Sequence, residues 1–291
     1  VSSGGLSSTQ LAKKYNIEKS TTDYNSVLED DSVKGVLITT RHNLHAAMTI
    51  DALRAGKEVF VEKPLALSQQ ELYDIIEAKK DSDKSVVVGF NRRFSPHLQK
   101  MKELLGSQPG PMNVIATMNA GHIPSDSWVH DPEVGGGRII GEACHYVDLI
   151  GYLTASPVKS VFMQAMGEQP KENTDNASIV LKYQNGSMGV LNYFANGNKS
   201  YAKERIEVFY QGKNLILDNF RRLYGYGYGG LISNRLLRTK QDKGHTEQFK
   251  RLVKNWEQGG EPIIPFRETV NSSRATLLAL ESLKMGEEVK V

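Results

Sequence analysis

One candidate catalytic group is a lysine that stands where a short apolar strand is predicted to end. Glu62, Lys63 and Pro64 follow the strand predicted over residues 58–61, and ligands of doubly wound sheets bind beyond the carboxyl ends of the strands. Pro64 restricts the backbone of Lys63, so it could fix the amine where the sheet opens. An ammonium group beside a hydroxyl that undergoes oxidation can exchange a proton with it. A Glu-Lys pair is more often simply exposed on the surface, so these residues alone indicate little.

A second cluster combines three glycines with titratable side chains on a predicted helix. The helix begins near Gly137, and Glu142, His145 and Asp148 recur along it every three residues. Glycines let backbone approach a ligand closely, and a histidine on the inner face can act as acid or base toward a carbinol. A core histidine anchored by Asp148 is the commoner outcome for such a cluster. A metal site is disfavoured because an i, i+3, i+6 array rarely converges on one ion.

Polar residues also stand between the strand predicted over residues 33–38 and the helix predicted over residues 45–55. Thr40, His42 and His45 occupy this connection. The start of a helix after a parallel strand is a standard position for groups that bind a dinucleotide. Simple helix capping is the alternative interpretation.

Two further groups could contribute to a ligand site. Asn91 and Arg92 follow the strand predicted over residues 85–89, and an arginine there could bind phosphate, although an exposed basic pair at a domain junction is at least as common. Trp128 lies in a later loop, where it could stack on a sugar or fill a contact between domains.

Composition excludes several classes of protein. Of the 291 residues, 39% are hydrophobic and 24% charged, which is typical of a well-packed soluble protein. No apolar run approaches the roughly 20 residues that a membrane-spanning helix needs. The net charge of +3 is dispersed along the chain, so no basic patch indicates nucleic-acid binding. Cys144 is the single cysteine and cannot form an internal disulfide, which favours a reducing cytoplasm.

Strand and helix patterns alternate in the first third of the chain. Short apolar runs that end in polar residues alternate with helical spacing, and such alternation requires a parallel sheet with crossover helices. We therefore predict a partial dinucleotide-binding, Rossmann-like domain over residues 1–107. From residue 108 onward, short strands are joined by turns such as Asn185-Gly186 and Gln211-Gly212, which are typical of antiparallel hairpins. Residues 108–291 are predicted to form an α+β domain with a largely antiparallel open sheet.

Taken in this order, the clusters resemble the glucose–fructose oxidoreductase / inositol dehydrogenase (Gfo/Idh/MocA) family. The resemblance extends over nearly the whole chain, and the ordered combination is far more specific than any one motif. It is carried by Val36–Thr40 with His45, by Ala55–Pro64, by Gly89–Phe94, and by Gly135–Gly137 with His145 and Asp148.

The resemblance implies roles for individual residues. In that family the lysine after the acid is catalytic, the helix histidine is its partner, and the strand-end Thr and Asn positions touch the nicotinamide nucleotide. The expected catalytic residues are therefore Lys63, His145 and Glu142, the last in place of the Asp that the family often has one position earlier. The expected cofactor-binding residues are Thr40, His42, His45, Glu62, Lys63, Asn91 and Arg92. The expected substrate-binding residues are Trp128, Arg138 and Asp148.

Three departures from the family pattern matter. The family's first strand and glycine-rich phosphate turn are absent, since the chain begins at Val1, about where the family's second strand ends. We therefore expect the first βα unit to be missing. Gly141 stands where the family often has an Asp, with Glu142 adjacent, and His42 stands where an Asn is often found. The run of residues 135–145 resembles a subgroup in which this module follows a zinc-type alcohol dehydrogenase module in one polypeptide.

The sequence thus predicts an oxidoreductase that moves hydride between NAD or NADP and a secondary alcohol of a sugar, polyol or nucleotide-sugar. The alternative is a binding or scaffold module that keeps the fold without turnover, and a chain that starts at Val1 could be inactive. Ser2 and Ser3 near the ribose position supply neither the acid that selects NAD nor an arginine for NADP. From the family we also expect a homodimer or homotetramer.

Overall fold

Eight α-helices and twelve strands lie in the part that the structure describes, residues 1–168, 170, 174–228 and 234–291 of a computed structural model. The helices are α1 (Gly5–Tyr15), α2 (Asn25–Leu28), α3 (His45–Arg54), α4 (Gln69–Lys80), α5 (Pro96–Leu105), α6 (Cys144–Thr154), α7 (His245–Gln258) and α8 (Phe266–Met285). The strands are β1 (Gly35–Ile38), β2 (Glu58–Val61), β3 (Val86–Val88), β4 (Asn113–Asn119), β5 (Val158–Ala165), β6 (Asn176–Tyr183), β7 (Met188–Phe194), β8 (Glu204–Tyr210), β9 (Lys213–Asp218), β10 (Arg222–Tyr226), β11 (Arg235–Arg238) and β12 (Val289–Lys290). Among these described helices, none is long and apolar enough to cross a membrane.

The first sheet is parallel, as the alternating pattern predicts. Its strands pair in the order β1-β2-β3, and α3 and α4 make the crossovers that parallel pairing requires. Residues 59–61 and 86–88 are fully buried, so these strands are covered on both faces, which is why they are continuous apolar runs. The predicted Rossmann-like parallel sheet is confirmed.

The second sheet has nine strands in the order β11-β10-β9-β8-β4-β7-β6-β5-β12. Within the described residues its pairs are antiparallel, except that β4 and β7 run parallel. Asn185-Gly186 joins β6 to β7 and Gln211-Gly212 joins β8 to β9. Gly186 and Gly212 have φ values of 84° and 71°, a conformation that glycine adopts readily. The predicted largely antiparallel sheet is confirmed.

The helices at the end of the chain connect the two sheets. Ala275 and Ala279 of α8 belong to the core of the second sheet, together with most of α6. Leu277 of the same helix and Leu252 of α7 belong instead to the core around the first sheet. Because α8 contributes apolar side chains to both cores, it fixes the strand ends of the first sheet relative to α6.

Candidate active site

Lys63 leaves the carboxyl end of β2 and reaches the helical segment that leads into α6. Its Nζ donates a hydrogen bond to the carbonyl oxygen of Gly141 at 2.6 Å. The side chain is half-buried, and the peptide bond to Pro64 is cis. His145 follows Gly141 by four residues and so lies about one turn further along the same side. The structure therefore brings Lys63 close to the helix face that carries His145.

His145 is a nearly buried imidazole in cationic surroundings. The residue is 8% exposed, and its Nδ1 is buried without a hydrogen-bond partner among the described residues. Burial, followed by the charges of Arg92 and Lys63, lowers the pKa of His145 well below its usual 6.5. Phe90 packs edge-on against the ring, with the centroids 6.1 Å apart. His145 is thus held neutral, with an unused nitrogen at the site.

Thr40 and His45 shape the neighbouring strand end. His45 is fully buried, with Nδ1 2.7 Å from the Pro64 carbonyl oxygen and Nε2 3.2 Å from the Thr40 carbonyl oxygen. Both ring nitrogens therefore face backbone carbonyls, so His45 positions the segments around Lys63 and leaves no nitrogen for a ligand. The Thr40 side chain is exposed at the end of β1 and remains open to one.

Glu62 lies between the ends of β2 and β3. A Cβ placed on Gly89 would be 2.7 Å from Glu62 Oε2, so the carboxylate lies directly against the backbone where β3 ends. The carboxylate fits there because Gly89 has no side chain. Glu62, Thr40 and Lys63 thus occupy the edge of the sheet where dinucleotides bind in folds of this type.

His42 and Trp128 meet across the gap between the first sheet and the loop before α6. The His42 Nδ1 is 2.8 Å from the Gly135 carbonyl oxygen, and the rings of His42 and Trp128 are edge-to-face at 4.9 Å. A carbonyl only accepts, so Nδ1 carries the proton. Burial lowers the pKa of His42 to about 4. The backbone approach is close enough to require glycine, since a Cβ at Gly135 would be 2.5 Å from the Trp128 carbonyl oxygen.

Glu142 turns toward the second sheet. Its Oε2 accepts hydrogen bonds from the Tyr193 hydroxyl and from Arg138 Nη2, the latter at 3.1 Å. Burial acts to raise the pKa of Glu142, but the Tyr193 hydrogen bond and the Arg138 charge lower it below its usual value. Arg138 is 2% exposed and also binds Asp175 at 3.1 Å and the Gly121 carbonyl oxygen at 2.8 Å. This network fixes both residues, with Glu142 as an ionised carboxylate.

Asp148 lies in a separate buried ion pair. Its two carboxylate oxygens accept from Arg93 Nη2 at 2.6 Å and Arg93 Nε at 2.7 Å, and Asp148 is fully buried. Glu268 of α8 pairs with the same guanidinium at 2.5 Å. The structure thus joins α6, α8 and the segment after β3 through Asp148, and does not bring this carboxylate to Trp128 or Arg138 as a shared substrate site.

Asn91 and Arg92 are also engaged by the protein. Asn91 Nδ2 donates to the Lys243 carbonyl oxygen at 2.7 Å, and Arg92 pairs with Glu204 Oε1 at 3.0 Å. Lys243 Nζ reaches the same Glu204 oxygen at 2.8 Å. Glu204 is fully buried, and the sequence analysis did not identify it as part of the site. The sequence feature that could have revealed it is the alternation along β8, where Glu204 occupies the same buried face as Ile206 and Val208.

The strand-end edge fits the nicotinamide end of a dinucleotide. Thr40 offers an exposed hydroxyl, Lys63 an ammonium group, and His145 a buried nitrogen that lacks a partner within the described residues. A planar ring and a carbinol placed over this edge would meet a donor and an acceptor of protons together. The arrangement can therefore support proton transfer coupled to hydride transfer.

The low pKa of His42 predicts that the folded protein becomes less stable as the pH is lowered. An unfolded histidine takes up a proton near pH 6.5, whereas folded His42 takes it up only near pH 4. The unfolded state therefore binds more protons between these values, and the free energy of unfolding must fall as the pH falls from 6.5 toward 4. We expect this fall, measured by urea unfolding at several pH values, to be smaller in His42→Asn. His122→Asn, at an exposed site, should follow the wild type, and identical slopes in all three proteins would contradict the prediction.

Comparison with known proteins identifies relatives along the whole chain. Residues 1–90 match the family model of the oxidoreductase family with an NAD-binding Rossmann fold, and residues 99–214 match that of the Gfo/Idh/MocA C-terminal domain. Myo-inositol 2-dehydrogenase of Thermotoga maritima is 26% identical over 97% of this chain and 87% of its own length. The scyllo-inositol 2-dehydrogenase (NAD(+)) of Bacillus subtilis is 31% identical over 62% of this chain and 54% of its own length.

The fold agrees with these matches. A solved levoglucosan dehydrogenase, in complex with NADH and levoglucosan, aligns with a TM-score of 0.84 over 100% of this chain and 89% of that one, at 20% identity. The two matching models describe successive parts of one kind of oxidoreductase and together span more than two thirds of the sequence. The chain therefore belongs to the Gfo/Idh/MocA family of oxidoreductases.

Proposed function

We propose that this protein transfers hydride between NAD and a secondary alcohol of a cyclic polyol or sugar, with Lys63 and His145 as the acid/base pair. The observation that carries the proposal is the 2.6 Å hydrogen bond from Lys63 Nζ to Gly141, because it holds the ammonium beside the helix face that carries His145. The names of the relatives, which include inositol and levoglucosan dehydrogenases, support this substrate class.

Each of the two residues has a distinct task in the proposed oxidation. When bound, NAD would supply the hydride acceptor, and Thr40 and Glu62 at the strand ends would hold it. Lys63 donates a hydrogen bond to the carbinol oxygen and so stabilises negative charge that develops there. His145 is neutral, so it can accept the hydroxyl proton as the carbonyl forms. In the reverse direction, the proton returns to the oxygen from the same pair.

Several finer assignments form part of the proposal. Thr40, Glu62 and Asn91 are placed at the cofactor, with Trp128 at the substrate. We propose NAD as the cofactor, which the NAD-binding family match and the NADH complexes of related structures support. We further propose a division into domains near residue 107, a cytoplasmic location, and a homodimer or homotetramer, which light scattering at micromolar concentration would detect.

The proposed activity is tested by direct assay. Myo-inositol, scyllo-inositol and levoglucosan are offered with NAD⁺ or NADP⁺, and formation of the reduced cofactor is followed by absorbance. Binding of NADH and NADPH is measured in parallel by isothermal titration. We expect oxidation of at least one probe with NAD⁺. NADH binding without turnover of any probe would instead support a binding or scaffold module.

A further inference from the structure

His42 follows strand β1 of the first sheet in the sequence, but its side chain contacts the loop before α6. Its Nδ1 donates to the Gly135 carbonyl oxygen at 2.8 Å, and its ring packs on Trp128. The next residue repeats the connection, since Asn43 N donates to the Val134 carbonyl oxygen at 3.1 Å. The imidazole is therefore docked on the loop before α6 rather than directed along the edge of the first sheet.

His42 and Lys63 converge on the same residue. A Cβ on Gly141 would lie 2.9 Å from His42 Cε1, while the Gly141 carbonyl oxygen accepts from Lys63 Nζ at 2.6 Å. The lack of a side chain at position 141 thus leaves space that the His42 ring occupies. The ring could not retreat from an added side chain without losing its bond to Gly135.

The tautomer defines what His42 can offer a ligand. Because Nδ1 donates to a carbonyl, the lone pair of the neutral ring is on Nε2, and this nitrogen makes no hydrogen bond within the described residues. Low proton affinity keeps the ring neutral, since burial lowers the pKa of His42 to about 4. Together with the nearby Lys63 ammonium, this acceptor suits two adjacent hydroxyl groups. One hydroxyl can donate a hydrogen bond to His42, while the oxygen of the other accepts a hydrogen bond from Lys63.

We propose that His42 determines specificity, with Nε2 accepting a hydrogen bond from a second hydroxyl of the substrate, next to the carbinol that Lys63 contacts. The site would then select vicinal diols over simple secondary alcohols. This inference rests on the proposed function and moves His42 from the cofactor to the substrate. A site built to bind a hydroxyl discriminates strongly against analogues that lack it, because its own polar group is left unpaired.

The test combines a protein variant with a substrate variant. His42→Ala is compared with wild type on the probe polyol that is oxidised best, and on its mono-deoxy analogue that lacks the hydroxyl beside the oxidised carbon. We expect His42→Ala to raise KM for the intact polyol at least about tenfold, consistent with loss of one hydrogen bond of typical strength. NADH affinity should stay within about twofold, and the preference for the intact polyol should be largely lost. His122→Ala, at an exposed histidine, should behave as wild type.

A second variant tests the contact between His42 and Gly141 by changing the glycine. Gly141→Ala should displace the His42 ring and raise KM much as His42→Ala does, whereas the same substitution in the His42→Ala background should add little. An unchanged KM, a parallel loss of NADH affinity, or an intact preference over the deoxy analogue in His42→Ala would overturn the assignment while the proposed function stands. A wild type that oxidises none of the probes would refute the proposed function, and this inference with it.

Discussion

Replacing Lys63 with Ala is expected to lower kcat by about two to four orders of magnitude, the usual contribution of a positioned acid or base. The substitution removes the ammonium that Gly141 holds at 2.6 Å, and with it the charge that we propose to stabilise the carbinol oxygen. NADH affinity should change much less, because we propose that Thr40 and Glu62 also contact the cofactor. Steady-state kinetics with the best probe polyol and titration with NADH separate the two effects.

The matched control for Lys63 is Lys254→Ala, which removes an exposed lysine from α7. It should retain wild-type kcat. If Lys63→Ala keeps turnover near wild type under the same conditions, Lys63 is only a structural contact to Gly141 and the acid/base assignment fails.

The largest expected effect on stability follows from Asp148→Asn. This change leaves the buried Arg93 facing an uncharged amide, with Glu268 as its remaining carboxylate partner, and breaking one partner of a buried ion pair costs up to about 3–5 kcal/mol. The side chains of Arg93 and Asp148 are only 5% and 1% exposed, so water cannot replace the lost charge. The free energy of unfolding, obtained from urea titration, measures the effect.

Asp83→Asn gives the control for Asp148, since Asp83 is exposed and pairs with neighbouring Lys84 at 3.2 Å. Its unfolding free energy should stay within about 0.5 kcal/mol of wild type. The kinetics of Asp148→Asn also test the expectation from sequence that Asp148 binds substrate. If the variant remains folded with an unchanged KM, that role is excluded; a raised KM with little loss of stability would support it.

The sequence was sufficient to predict both kinds of sheet. Parallel strands such as β3 are buried on both faces and therefore consist of uninterrupted apolar residues, and glycine turns such as Asn185-Gly186 mark hairpins locally. These signals depend on neighbours within a few residues. Strands β10, β11 and β12 were not predicted from the sequence, because all three are short and pairing with neighbouring strands, rather than composition, defines them.

Ion-pair and hydrogen-bond partners that lie far apart in the sequence could not be predicted in the same way. The pattern of the helix after Gly137 favoured a histidine anchored by Asp148, but Asp148 binds Arg93 and Glu142 binds Tyr193. A buried charge indicates that it needs a partner, yet the sequence does not indicate which one. The three-dimensional arrangement of α6, α8 and β7 decides the choice.

The wide turn before α6 constrains how this segment can change length. Residues Ile139–Ala143 form a π-helix, and regular α-helix begins at Cys144. A π-turn accommodates one residue more than an α-turn. Deleting a single residue here would therefore restore continuous α-helix and leave the later side chains close to their present directions, because a π-turn and an α-turn advance the chain by nearly the same angle. His145 would then keep its position relative to Lys63, so we expect related chains to gain or lose one residue within this turn while the two residues stay together.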